Sequence, residues 1–436
     1  VTRAAHASFA LTVAALVGTA FAIVVVRAAF AAPAWGIDYP RAAGIAAALW
    51  ESALYSGILA GGLFLAAEHG RGADGTGSSL WDRAAALWRL VVIMRVGSWI
   101  IDVPFDAPLM LVQGALIVGI GIGVWRAWGR TPLAFERALR AIWTAGALCI
   151  GVGMIGGAGI ALFPTVFVAA SDVARAAAWE TLFAAWRTGI GVPVTVCALA
   201  FWQLHRISNV TPAWAGRGAA ICAGMLALAG AWTTFPAFYP FGMGETARGI
   251  AQLGVVIAPI AAILVAAHAH RALADRNPSA TLAGYWIALG IVLWLIGIGV
   301  IGALAAISDA FSRAPLATLG AAWNAPAAAA ILLGMINHAV AQARGENRRI
   351  TGLLPYWLIT AGWIGGATAW TLISTADHLA QRAWGVPFAA AQIALAPLYA
   401  LWGIAGGITA GGMVIYGLGF AVRRVILASN SHRGRT

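Results

Sequence analysis

The sequence predicts an all-α protein, a polytopic integral membrane bundle of about twelve transmembrane helices forming a single domain. Two proportions and one pattern predict it. Of 436 residues, 61% are hydrophobic and only 10% charged, where a soluble domain carries about a quarter charged residues. Each crossing of the hydrocarbon needs about 20 apolar residues, so a dozen helices use about 240 and leave only short loops and helix overhangs. The pattern is polar punctuation, which divides the chain at about 8–32, 43–67, 84–103, 107–128, 141–163, 179–204, 216–236, 248–269, 282–307, 317–342, 353–377 and 389–422.

Charge supports that division and sets an orientation. All 27 basic residues are arginine, which together with abundant Ala and Gly reads as the codon bias of a GC-rich bacterial genome. A formal charge of +12 points to nucleic acid in a soluble protein, but in a membrane bundle it belongs to loops facing anionic lipid and cytoplasm. The lipid bilayer is the expected partner, and nucleic acid is not. Arg27, Arg41, Arg175, Arg248, Arg313 and Arg382 fall on one side of the division, and most other arginines, from Arg3 to Arg435, on the side of the N-terminus. By the positive-inside rule the spans are even in number and both termini cytoplasmic, in a bacterial inner membrane. The first apolar stretch has no short apolar region followed by a small-residue cleavage site, so it is expected to be a retained helix.

Taken in order, the stretches differ in what they offer. The second, 43–67, carries Glu51 with no local partner. The third carries Arg95 and Asp102, seven residues apart and hence on one helical face, and it is divided from the fourth at Val103-Pro104-Phe105. The fifth contains Gly151, Gly153, Gly156, Gly157 and Gly159, and the twelfth Gly406, Gly407, Gly411 and Gly412, small residues that let helix backbones approach. The sixth repeats the seven-residue spacing with Glu180 and Arg187. Polar residues at membrane depth are expensive and mark function unless they are satisfied structural pairs. The functional reading of Glu51, Arg95, Asp102, Glu180 and Arg187 is a proton or ion path, and the structural reading is a set of ion pairs holding helices together.

The remaining chemistry-bearing residues read as structural. Cys149, Cys197 and Cys222 sit in separate apolar segments without CxxC spacing, as small core residues do. His69, His205, His268, His270 and His338 lie at the cytoplasmic ends of spans, and His268-Ala-His270, beside Arg271, reads as a solvated interfacial pair. There is no Ser-His-Asp set, phosphate-cradling glycine loop or HExxH sequence.

Several local sequences resemble subunit I of the haem-copper oxidases, the cytochrome c oxidase subunit I family. The run Glu180-Thr-Leu-Phe-Ala-Ala-Trp-Arg-Thr-Gly189 leads into Gly191-Val-Pro-Val-Thr-Val196, where the family carries Gly-His-Pro-Glu-Val-Tyr with a copper-binding His. Ala231-Trp-Thr-Thr-Phe235 stands where the family places a His-His pair, and Gly320-Ala-Ala-Trp-Asn324 where it places a His-x-His. Gly44-Ile-Ala-Ala-Ala-Leu49 lacks the family's remaining haem ligand, and 353–420 resembles its closing pair of spans. The resemblance implies an oxidase subunit I-like bundle without haem or copper, since every matching ligand position is apolar or small. Its expected role is a non-catalytic structural subunit of a respiratory or other electron-transfer complex, with partners such as a cytochrome carrying the redox centres. Two alternatives stand beside it: a secondary transporter or ion-conducting protein using Glu51 and the Arg95/Asp102 face, and a haem-containing oxidase or reductase with unrecognised ligands.

Overall fold

In hydrocarbon every backbone N–H and C=O must be satisfied within the protein, and a helix does this inside one segment. The computed structural model follows that rule. It describes residues 3–31, 36–69, 76–103, 105–127, 134–163, 173–208, 212–232, 245–274, 282–301, 303, 316–344 and 353–433, and among them all regular structure is helical.

The helices are α1 (Arg3–Ala31), α2 (Tyr39–His69), α3 (Thr76–Ile100), α4 (Asp106–Ala127) and α5 (Ala134–Leu162). Next come α6 (Val173–Ala184), a π-helical segment (Ala185–Gly191) and α7 (Val192–Ser208), which together cover the sixth apolar stretch. They are followed by α8 (Pro212–Trp232), α9 (Glu245–Ala274) and α10 (Leu282–Trp294), the last running into a second π segment, Leu295–Ile301. The chain closes with α11 (Leu316–Arg344), α12 (Leu354–His378), a short π segment (Leu379–Ala383) and α13 (Phe388–Arg433). Each of the twelve apolar stretches lies largely on helix, although 101–103 follow the end of α3, and residues 128, 233–236, 302 and 304–307 lie outside the described residues.

Nine of the described helical spans are long and apolar enough to cross a membrane, so the protein is a multi-pass helical membrane bundle. Of the others, α3 is diluted by Asp82, Arg83, Arg89 and Arg95 and α12 by Trp, Thr and Gly, while on α8 the apolar run among the described residues is Gly216–Ala231.

Burial separates the centre from the rim. The apolar windows of α2, α11 and α10 are 83%, 72% and 61% buried, whereas those of α4 and α13 are 33%. A rim helix turns one face to lipid, which is as apolar as leucine, so exposed residues such as Ile93, Ile263 and Leu401 are in their proper solvent. The interior half of the sixth stretch is the most enclosed, with Val196 to Ala200 at 0–1% exposure.

Trp88, Trp143, Trp202 and Trp286 are fully buried. Trp88 donates its indole N–H to Ser56 Oγ at 2.9 Å, and Trp286 stands edge-on to Tyr356 and Tyr416 with centroids 4.9 and 6.2 Å apart. Such edge-to-face pairs add to plain burial.

The glycine-rich stretch of α5 does what its composition implies. A Cβ on Gly151 would lie 2.9 Å from the carbonyl oxygen of Gly114 on α4, and one on Gly146 equally near that of Gly191. Two helices therefore meet α5 backbone to backbone. On α13, Gly412 packs closely on Ile359 and Gly406 on the Arg27 side chain, while Gly407 and Gly411 face open space.

Candidate polar site within the bundle

The π segment Ala185–Gly191 ends just before Pro193, which carries no N–H for the Gly189 carbonyl and crowds that position, so regular α-helical bonding is weakened at this turn. The chain inserts a residue and closes with a wider bond, Val192 N–H donating to the Arg187 carbonyl. The Thr188 and Thr195 hydroxyls donate back to the carbonyls of Ala184 and Gly191, at 2.7 and 2.8 Å. The result presents Arg187 toward α2.

Glu51 occupies the central helix α2, and two arginines divide its carboxylate. Arg95 on α3 reaches Oε2 at 2.9 Å, and Arg187 reaches Oε1 at 3.1 Å. Arg95 is anchored a second time by α4, where its Nε lies 2.7 Å from Asp106 Oδ1 and one terminal nitrogen donates to Gln113 Oε1 at 3.1 Å. Trp99 Nε1 also donates to Asp106 Oδ1, at 3.1 Å. Arg187 spends another N–H on the Met110 sulfur at 3.1 Å, a weak acceptor for a cation. Tyr55, one turn below Glu51 and 1% exposed, sets its hydroxyl beside the Arg187 guanidinium.

Four segments thus bring two cations and two anions together as a neutral group. The Arg95 side chain is 6% exposed, Glu51 16%, Arg187 17% and Asp106 33%, so Arg95 is the most enclosed member and Asp106 the least. Taking ions out of water is repaid only by close pairing and complete hydrogen bonding. Pairing is close here, but hydrogen bonding is incomplete: the Gln113 Nε2, the Arg187 Nε, the Tyr55 hydroxyl and the Glu51 Oε2 are buried without a hydrogen bond.

Of the residues singled out by sequence, the structure joins Glu51, Arg95 and Arg187 and leaves Asp102 and Glu180 apart. Glu51, which has no partner along its own helix, has two from others. Asp102 lies beyond the end of α3 with φ of 57°, exposed, in the left-handed conformation that ends helices and that Asp tolerates. The seven-residue face shared with Arg95 therefore stops short of it, and Asp106, the first residue of α4, takes the place expected for Asp102. Glu180 is exposed on α6, and the π segment between it and Arg187 breaks the phase that equal spacing implies. Asp106, Gln113 and Tyr55 were not singled out by sequence. An acid opening a helix just after Pro104 is the signal that points to Asp106.

Three of the histidines pack on aromatic rings. Phe135 meets His205 at 4.6 Å, Phe201 meets His268 at 4.7 Å and Trp202 meets His338 at 5.1 Å between centroids. His268 is 5% exposed while His270 is exposed, which corrects the expectation of a solvated pair: the helix sends the two rings to different environments. Cys149, Cys197 and Cys222 are free thiols, the last two buried, as core residues are. Among the described residues no three His, Cys, Asp or Glu side chains are grouped as metal ligands.

The stretches that resemble the oxidase family in sequence are packed against their neighbours where they are described. The Trp99 ring lies on Gly44, Val192 and Val196 are buried in the core, and Trp323 donates its indole N–H to Thr371 at 3.1 Å. Thr233, Thr234 and Phe235 lie outside the described residues. No protein-family model matches the chain, and no curated protein matches it either.

Proposed function

We propose that this protein moves a small solute or ion across the membrane, with Glu51, Arg95, Arg187 and Asp106 as its polar site. One observation carries the reading. A carboxylate on the most buried of the described candidate spans is shared between arginines of two other helical segments, with Asp106 the most exposed member of the group. Ionisable residues inside a membrane bundle that face one another mark solute and ion pathways. Helix packing of the kind seen along α5 needs no such group.

The test is charge movement by the full chain reconstituted on a solid-supported membrane. Jumps in acetate, chloride or proton concentration are expected to give transient currents in the wild type that disappear in Arg95→Gln. Wild-type protein silent to all three jumps, with tryptophan fluorescence showing it folded, removes the reading.

A second reading has its own support. The oxidase-like sequence patches coincide with positions filled by packed Trp, Val and Gly, which suits a structural subunit of an electron-transfer complex whose redox centres reside on partner chains such as a cytochrome. It predicts recovery of a haem protein with this chain in mild detergent, and no haem signal in a reduced-minus-oxidised spectrum once the partner is stripped. Stoichiometric haem in the stripped chain would instead favour an oxidase or reductase with unrecognised ligands.

A further inference from the structure

We infer that Arg95 and Arg187 form a binding site for a small monocarboxylate, and that Glu51 is its built-in occupant, displaced when the external anion enters. The inference rests on the transport reading for its use in the cell, but the binding site stands on geometry alone.

The Glu51 carboxylate places one oxygen on each guanidinium, at 2.9 and 3.1 Å, as a bound carboxylate between two arginines would. The two arginines are not equivalent. Arg95 keeps Asp106, Gln113 and its place beside Trp99 whether or not Glu51 is there. Arg187 has Glu51 as its acidic ion-pair partner, and its other bonded acceptor is a thioether. With Arg95 balanced by Asp106, withdrawal of Glu51 leaves one uncompensated positive charge. A monoanion restores neutrality and a dianion overshoots it.

The second observation is independent of the ion pairs. Gln113 is fully buried and gives its Oε1 to Arg95, which holds its Nε2 within a side-chain's width of the same guanidinium, yet that Nε2 has no acceptor. The Arg187 Nε also lacks one. These two are donors, and an incoming carboxylate brings them acceptor lone pairs. The Tyr55 hydroxyl and the Glu51 Oε2, although the latter lies 2.9 Å from Arg95, are also buried without a hydrogen bond, so Glu51 itself leaves the group incompletely bonded. Met110 supplies an apolar wall beside Arg187, suited to the short alkyl end of a monocarboxylate. Asp106, the most exposed member, marks the entrance.

The experiment measures thermal unfolding of the detergent-purified full chain against acetate concentration, with sodium chloride holding ionic strength constant. Wild type, Glu51→Ala, Glu51→Gln and Arg187→Gln are compared. Glu51→Ala empties the space between the arginines and is expected to bind acetate at least about tenfold more tightly than wild type, a difference of about 1.4 kcal/mol in binding. Glu51→Gln, which keeps the bulk, falls between them, and Arg187→Gln loses the effect. Recovery of Glu51→Ala only when acetate is present during solubilisation is the same result in another form. Equal acetate stabilisation of all four proteins, or of none, overturns the inference. Where Glu51→Ala is not recovered at all, an acetate effect retained by Arg187→Gln overturns it.

The two proposals fail separately. Tight acetate binding by Glu51→Ala without acetate currents in wild type removes transport and keeps the site. Proton or chloride currents abolished by Arg95→Gln, without acetate binding, keep transport and remove the site.

Discussion

Gly153 of α5 lies against the backbone of Arg187: a Cβ there would sit 2.9 Å from the Arg187 nitrogen and 2.7 Å from the Phe183 carbonyl oxygen. Both neighbours are main chain and cannot rotate aside. Gly153→Ala is therefore expected to push the π segment off α5 and draw Arg187 from Glu51, with an overpacking penalty of about 1–3 kcal/mol. Currents carried by the site should fall together with the unfolding temperature. Gly97→Ala, at a position facing open space, should change neither.

Arg95 is the most connected member of the polar group. Arg95→Ala leaves Glu51 and Asp106 facing each other without their shared cation, and breaking a buried pair in this way costs about 3–5 kcal/mol. Asp106→Asn should cost less because Asp106 is one-third exposed and the amide oxygen can still accept from Trp99. Unfolding in a graded denaturant series orders the two.

Asp102→Gly and Glu180→Gln should be nearly silent in stability and in currents. The first replaces a left-handed aspartate by the residue that best tolerates that backbone, and the second removes an exposed acid. Loss of current in either variant would place that residue in the pathway and contradict the arrangement described above.

Away from the site, the Asn337 Nδ2 donates to the Tyr416 hydroxyl at 2.9 Å and to the Leu333 carbonyl at 2.7 Å. Tyr416→Phe removes one acceptor but leaves the other, so its expected cost is about 1 kcal/mol, the net worth of an ordinary hydrogen bond. Gly62→Ala is expected to be worse, because its methyl would overlap the fully buried Trp143 ring, which has no room to turn. Thermal unfolding followed by tryptophan fluorescence compares the pair.

The helices were legible in the sequence because apolar length and polar punctuation are local properties, and a membrane leaves the backbone few choices. Glu51, Arg95 and Arg187 were legible for the same reason, as charges inside apolar runs. Their partnerships were not. Pairing Arg95 with Asp102 assumes that α3 continues through residue 102, and pairing Glu180 with Arg187 assumes unbroken α-helical phase. A helix that ends at Ile100 and a π segment ahead of Pro193 defeat those assumptions. The actual partners lie on other helices, where sequence spacing carries no distance. Gln113 could not be distinguished in advance from a lipid-facing glutamine, since only packing decides which way α4 turns.

The glycine contacts of α5 have a mechanical consequence. Through Gly151 it is fastened to α4, which carries Asp106, Met110 and Gln113, and through Gly146 and Gly153 to the segment that carries Arg187. Two walls of the polar group thus share one keel, and α2, itself seated on α5 where Gly62 meets Trp143, lays Glu51 across them as a latch.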